Sequence, residues 1–322
     1  MTPLHFDIVI WLGIILTAFP AVVLFYLRKK KTNWHELHKT FSRLFAILFS
    51  LASLTLIYGS FIEPRIIVLN PETIDLPKIS KPIRAVVIAD YQVGPYKKTD
   101  FVDQSVDRIL ALQPDIVFII GDLIDNSYTT EDETIYLTPL ARLASTVPTY
   151  AVHGNHEYGI PGGKSISNPA FRFTDRSQHT AEVMRELGVQ YLINELEEIS
   201  VNGESFYLFG GDEWWNGTLD FSSLEKRTKN IPTIALIHNP AATQEVAKHD
   251  IDLMLSGHTH GGQIRLPFIG PIGRIGDVPN KNWYQGWYTY EDLHVFVTSG
   301  IGESGVRARL FNPPEIVVLE IQ

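Results

Sequence analysis

DIVFIIGDLID, residues 115–125, decides how the rest of the chain is read. After Asp115 come five apolar residues, Ile116 to Ile120, mostly β-branched, and the run stops at a glycine followed by Asp122 and Asp125. An unbroken apolar run of that length, bounded by a turn residue, predicts a strand buried on both faces. IRAVVIA at 83–89 repeats the pattern and ends in Asp90-Tyr91-Gln92. TYAV at 149–152 ends in His153-Gly154-Asn155-His156-Glu157, TIALI at 233–237 runs into His238, and DLMLS at 252–256 into Gly257-His258-Thr259-His260.

Amphipathic stretches near 100–112, 132–144 and 179–187 predict helices between these strands, with one more between 237 and 252. EEISVNGESFYLFGG at 197–211 alternates around Asn202-Gly203, a hairpin signal, and the last fifty residues are strand-like. The expected fold class is α/β, with a mixed sheet or a sandwich of two sheets flanked by helices. No internal repeat and no glycine-rich phosphate loop is present.

Five strands thus deliver Asp, Asp, Asn-His, His and His-x-His to one edge of a sheet, where open α/β folds place their sites. Carboxylate and amide oxygens together with imidazole nitrogens suit first-row divalent metals such as Mn, Fe or Zn. The chain has no cysteine, which excludes disulfides, thiolate metal sites and a cysteine nucleophile. A lone Asp after a strand is usually a turn or cap residue, and a lone His such as His238 a satisfied polar group. Five such endings in order are not explained that way.

The order D-x-H/Q, GDxxD, GNH[DE], a single His, then GHTH resembles that of the calcineurin-like metallophosphoesterases, over Ile83 to the C-terminus. GHTHGGQIRLP and GIGESGVRARLFNPPEIVVLEI are similar to the bacterial membrane-associated YkuE/YaeI-type branch. The resemblance implies a four-layer α/β sandwich of two mixed β-sheets flanked by helices, with two divalent metal ions at one end. It makes Asp122 the carboxylate bridging both metals. Asp90, Gln92 and His260 would complete one site, and Asn155, His238 and His258 the other. His156 would be the catalytic histidine beside the leaving group, with Asp125 orienting it. Most relatives carry histidine where this chain has Gln92. An amide oxygen is harder and binds more weakly, so manganese is favoured, with zinc or iron as alternatives.

The implied reaction is phosphoester hydrolysis by water activated between two metals. A phosphodiester or diphosphate bond is favoured, with a monoester or a UDP-diacylglucosamine-type diphosphate as alternatives. The rival reading, resting on Gln92, is a catalytically degenerate metal-binding membrane protein with a structural or regulatory role. Arg307 and Arg309 are candidates for holding a substrate phosphate, and His153 for supporting the GNH turn. Trp214, Trp215, Trp283 and Trp287 are candidates for the core or the site rim, whereas His249 and His294 read as structural.

Ahead of this domain, residues 8–27 and 44–62 are uncharged runs of 20 and 19 residues, near the roughly 20 needed to cross a bilayer. A two-helix transmembrane hairpin over 1–62 is therefore expected, then an extended, proline-containing connector at 63–82 and a catalytic domain at 83–322. RKKKTNWHELHK at 28–39 holds five Lys+Arg and joins the spans. Short basic loops stay cytoplasmic, which places the domain on the extracytoplasmic side of the cell membrane. Residues 1–63 carry six Lys+Arg against three Asp+Glu, and the remainder 21 against 33. So acidic a domain argues against a nucleic-acid partner. Expected partners are membrane lipids around the hairpin and a phosphoester substrate that is lipid-linked or part of the cell envelope. The oligomeric state stays open.

Overall fold

The computed structural model describes residues 3–30, 38–127, 130–275 and 278–322. Helices α1 (Pro3–Lys29) and α2 (Lys39–Ile57) pack against each other, and α1 runs unbroken through Pro20. Residues 31–37 of the basic loop lie outside the described residues. Leu4–Lys29 and Lys39–Arg65 are both long and apolar enough to cross a membrane. They are not core helices of the domain: Leu16 and Phe19 are each 68% exposed. Water penalises such surface by about 25 cal/mol per Å2, a cost that hydrocarbon removes. At the domain-side end Trp11 meets Phe61, ring centroids 5.5 Å apart.

Past Ile57 the backbone widens into a π turn (Tyr58–Ile62) and then tightens into a 3-10 turn (Glu63–Arg65). The segment expected as a connector then contributes a strand, β1 (Val68–Ile74), which pairs in parallel with β14 (Glu315–Ile321). Its sequence hides this because β1 is an edge strand with no fully buried residue. An edge also tolerates Pro71, whose missing N–H costs no ladder bond on the open side.

Behind β1 and β14 lie β2 (Ile83–Ile88), β3 (Ile116–Ile120), β4 (Thr149–Val152) and β5 (Gln190–Tyr191). The sheet order is β1-β14-β2-β3-β4-β5, with only the β14–β2 pair antiparallel. The second sheet holds β6 (Glu195–Val201), β7 (Glu204–Gly210), β8 (Thr233–Leu236), β9 (Leu253–Ser256), β12 (Gly286–Tyr290) and β13 (Leu293–Val297). Its order is β12-β13-β9-β8-β7-β6, parallel in the middle and antiparallel at both ends. A small ribbon of β10 (Arg265–Leu266) and β11 (Gly270–Pro271) stands apart.

Three apolar interiors define four layers. Between the sheets, Ile83, Val87 and Phe118 meet Phe206, Leu236 and Phe296. On the outer face of the first sheet pack α3 (Thr99–Ala111), through Val102, Val106 and Ile109 at helical spacing, and α4 (Ser177–Glu186), through Ala181 and Met184. One-turn helices around Ala242 and Val246 cover the outer face of the second. The helix expected at 132–144 is instead a 3-10 turn (Glu133–Leu137) and a single α turn (Leu140–Ala144), separated at Pro139.

Arg309 organises the loop between β13 and β14. Its side chain is fully buried, and its guanidinium donates to the carbonyls of Ser299, Gly300, Gly302 and Asn312. It is therefore committed to the fold, and the expectation that it holds a phosphate does not stand. Arg309→Met leaves those carbonyls unpaired and should cost about 3–5 kcal/mol. We expect a clear fall in Tm of the detergent-solubilised chain; an unchanged Tm would contradict this role.

Candidate metal centre

The loops leaving β2, β3, β4, β8 and β9 meet at the carboxyl ends of the parallel strands. They bring together Asp90, Gln92, Asp122, Asn155, His156, His238, His258 and His260, all buried. Asp122, His238 and His258 present ligand atoms close enough to hold one metal ion, and Asp90, Asp122 and His260 a second. Asp122 belongs to both groups. Its Oδ2 lies 3.2 Å from His238 Nε2, and its Oδ1 accepts the His156 N–H at 2.9 Å. Asp90 accepts the His258 N–H at 3.1 Å and has His260 Nε2 3.6 Å from its Oδ1.

The local backbone is bent for this purpose. Asp90, Gln92, Asp122, His258 and His260 all have positive φ, between 43° and 69°. Side-chain-bearing residues adopt that region at a cost, and such strain gathers at sites. Gly121, at φ +70°, leaves no alternative: a Cβ there would sit 2.6 Å from Gly154 N and 2.7 Å from His238 Nδ1.

The donor set fits metal ions. Gln92 Oε1, His238 Nε2, His258 Nε2 and His260 Nδ1 are buried without a hydrogen-bond partner, although buried polar atoms are nearly always satisfied. His238 donates from Nδ1 to the Ile120 carbonyl at 2.7 Å, which leaves the Nε2 lone pair facing the carboxylates. Asn155 donates its amide to the Ile160 carbonyl at 2.6 Å and turns its oxygen inward, 2.7 Å from His258 Nδ1.

At His238 burial is outweighed by Asp122 and Asp90, which favour its charged form, so a metal ion there would take the place of a proton; the other two imidazoles differ. Burial holds His258 down to about 3 and, with Arg309 adding repulsion, His260 well below its usual value, so both imidazoles are neutral and able to bind metal. Burial raises Asp90 to about 7 against the pull of His238. At Asp122 burial is outweighed by His238 and His156, and the carboxyl stays well below the usual range.

His156 binds the Asp125 main-chain carbonyl through Nδ1, leaving Nε2 3.3 Å from Ser304 Oγ. The hydrogen bond by which Asp125 orients His156 thus runs through its main-chain carbonyl rather than its carboxyl. The Asp125 carboxyl, raised to about 6 by burial, faces a neighbouring cavity of about 290 Å3 with Tyr96, Lys97, Phe173 and Arg307. Arg307 stands 3.7 Å from Asp7 of α1 and over the Tyr96 ring.

Over the centre lies a cavity of about 300 Å3, walled by His156, Trp215, His258, His260, Gln263 and Arg274. Trp215 sets its ring edge-on to His258, centroids 4.4 Å apart. Trp283 and Trp287 instead pack on Tyr288 and Phe296. His153 meets the Tyr191 hydroxyl at 2.9 Å beneath the site, and His249 stacks on Phe221. Arg274 and Ser304 were not foreseen, because neither sits in a strand-end motif. Glu157 is the missed organiser: its buried carboxylate accepts the N–H groups of Asp122, Leu123 and Gly154 at 2.7–3.1 Å. The acid position of GNHE carried that signal.

Fold and edge together define a two-sheet α/β protein with a divalent-metal site. Residues 83–262 match the family described as calcineurin-like phosphoesterase, and the chain belongs to that family and is a metal-dependent phosphoesterase. It is 28% identical over 243 residues to phosphodiesterase YaeI of Escherichia coli, covering 74% of this chain and 82% of that one. An uncharacterized metallophosphoesterase of Helicobacter pylori is 31% identical over 297 residues, 89% of this chain and 73% of its own. YkuE of Bacillus subtilis, likewise an uncharacterized metallophosphoesterase, is 26% identical over 270 residues, 82% and 89% of the two chains.

Glu157→Ala removes the acceptor of three buried N–H groups, at about 1–3 kcal/mol for each group left unsatisfied. We expect a lower Tm and a loss of bound metal together. Loss of metal at unchanged Tm would instead make Glu157 a ligand.

Proposed function

We propose that the chain is a membrane-anchored, dinuclear metal-dependent phosphoesterase. It cleaves a phosphodiester or diphosphate bond in a lipid-linked or other cell-envelope substrate on the extracytoplasmic side. The observation that carries this reading is Asp122, the one residue shared by both metal-holding groups. Asp90, Gln92, Asp122 and His260 would hold one ion, and Asp122, Asn155, His238 and His258 the other. Manganese is favoured because Gln92 replaces an imidazole. Bound there, two divalent ions would supply charge to offset the phosphoryl oxygens and to make the attacking water more acidic.

The chain's own groups do the rest. His156, with Nδ1 fixed on the Asp125 carbonyl, presents Nε2 to the leaving oxygen and donates a proton there. Asp122 and Asp125 favour its charged form against burial. Trp215 and Arg274 shape the opening for the ester. YaeI is named a phosphodiesterase, which favours diester over monoester cleavage. The degenerate-site reading draws on Gln92, but the unpartnered Oε1 of that side chain supports a ligand role.

The test is hydrolysis of a nitrophenyl phosphodiester by the full chain in detergent with added Mn. Asp122→Ala should abolish turnover and metal binding. His156→Ala should lower turnover by about 10²–10⁴-fold with metal content retained. No turnover with any divalent metal would favour the degenerate reading. Gln92→His should raise metal occupancy and zinc preference without abolishing hydrolysis; two tightly held metals beforehand, with no change on substitution, would count against the assigned role. Protease added to cells after wall removal or outer-membrane permeabilisation should digest the domain, and protection would reverse the proposed side.

A further inference from the structure

The β10–β11 ribbon follows directly on the His258-Thr259-His260 turn and ends in a bare apolar tip. Phe268 is 108% exposed, Ile269 74% and Ile272 56%. The tip is held out by a fixed framework: Arg265 pairs with Pro271 across the ribbon, and its guanidinium donates to the Gly261 carbonyl at 2.8 Å. Phe268 itself has φ +67°, where a turn would ordinarily place Gly or Asn. A strained, fully exposed phenylalanine costs stability in water, so another environment must account for it.

The position of the tip relative to the helices identifies that environment. The Arg309 N–H donates to the carbonyl of Gly59, at the end of α2, at 2.9 Å, and the next residue, Leu310, packs beside Gly59. The Leu310 carbonyl accepts the Arg265 N–H at 2.9 Å, so one loop segment, Arg309-Leu310, separates the start of the ribbon from the π turn that follows α2. Exposed Phe311 and Ile66 lie along the same join. Charge agrees: residues 261–276 carry Arg265 and Arg274 and no acid, in a domain that is otherwise acidic. An apolar tip flanked by cations fits an anionic lipid surface.

We propose that this tip is a second membrane contact, with Phe268 and Ile269 seated in the headgroup-to-acyl boundary of the leaflet that holds the domain-side ends of α1 and α2. The inference rests on the reading of those helices as spans. Gly273, Arg274 and Ile275, which follow the tip, form part of the wall of the metal-centre cavity. The mouth of that cavity therefore opens at the lipid surface, where a phosphoester on a membrane amphiphile reaches it without leaving the bilayer.

The chain has no cysteine, so a single introduced thiol reports one position. Full-length Phe268→Cys, Ile269→Cys, Leu16→Cys and Ser145→Cys proteins carry an environment-sensitive fluorophore in vesicles of phosphatidylcholine and phosphatidylglycerol. Ser145 precedes the amino end of β4, opposite the metal edge, and Leu16 lies mid-span. Lipids bearing a nitroxide near the headgroup should quench the labels at 268 and 269 and leave the label at 145 unaffected. Nitroxides deep in the acyl chain should quench the label at 16. Quenching at 16 with water-like emission at 268 and 269 would overturn the inference while leaving the spans intact. Loss of quenching at all of these positions would remove both. Water-shielded emission at 268 without lipid quenching would mean that protein, such as a second copy of the chain, covers the tip, and would also overturn it.

Discussion

Asp90 and Asp122 are carboxylates held entirely out of water at the ends of neighbouring strands, and the rest of this edge answers to that arrangement. Two anions so close and so dry repel each other unless cations lie between them. Part of the compensation comes from the protein: His238 faces both carboxylates, the His156 and His258 N–H groups cap them, and Arg309 lies within electrostatic reach of Asp90. The rest is left open, as unpartnered nitrogens and an amide oxygen directed at the same space. Positive φ at five candidate ligands and the Gly121 pinch are the structural cost of bringing these strand ends so near each other.

The N-terminal helix pair is built into this edge. Glu63, at the end of the second span, is buried and accepts the N–H groups of Phe311 and Asn312. Asn312 in turn donates from its side chain to the His260 carbonyl at 2.6 Å. Two hydrogen-bonding steps therefore separate the N-terminal helix pair from a candidate ligand. Lys97 adds a second tie, donating to the Pro64 carbonyl and pairing at 2.7 Å with Glu303, next to Ser304, which faces His156. On the proposed reading of α1 and α2 as spans, these ties would set the height and tilt of the site over the bilayer.

Most of the architecture was legible because buried parallel strands have no polar face to conceal them. Ile116 to Ile120 and Ile83 to Ile88 read directly as strands, and each ran into its site residue at once. The features that escaped depend on long-range pairing. β1 reads as linker because its burial comes from one neighbour, β14, hundreds of residues away. Ser304 and Arg274 reach the cavity on loops whose paths are set by Arg309 and by the β10–β11 ribbon, which no local periodicity encodes. Arg309 was a candidate phosphate ligand because it lies in the C-terminal block that carries the family resemblance, with an ion pair as the usual alternative. The four carbonyls around it, contributed by a loop folded on itself, decide otherwise.

Gln92 is best understood through charge. The proposed ligand set contains two carboxylates, three imidazoles and two amides, so two divalent ions bound there keep a net positive charge of two for the ester phosphate. Exchanging imidazole for amide at Gln92 leaves that sum unchanged and alters only softness and ligand strength. In the proposed function, turnover would need the charge and the shared carboxylate of Asp122, both of which remain. Selection among metals would then depend on the donor at position 92, which is where this chain departs from the usual pattern. On that proposal the substitution bears on which metal is held and leaves unchanged the charge that draws a phosphate in.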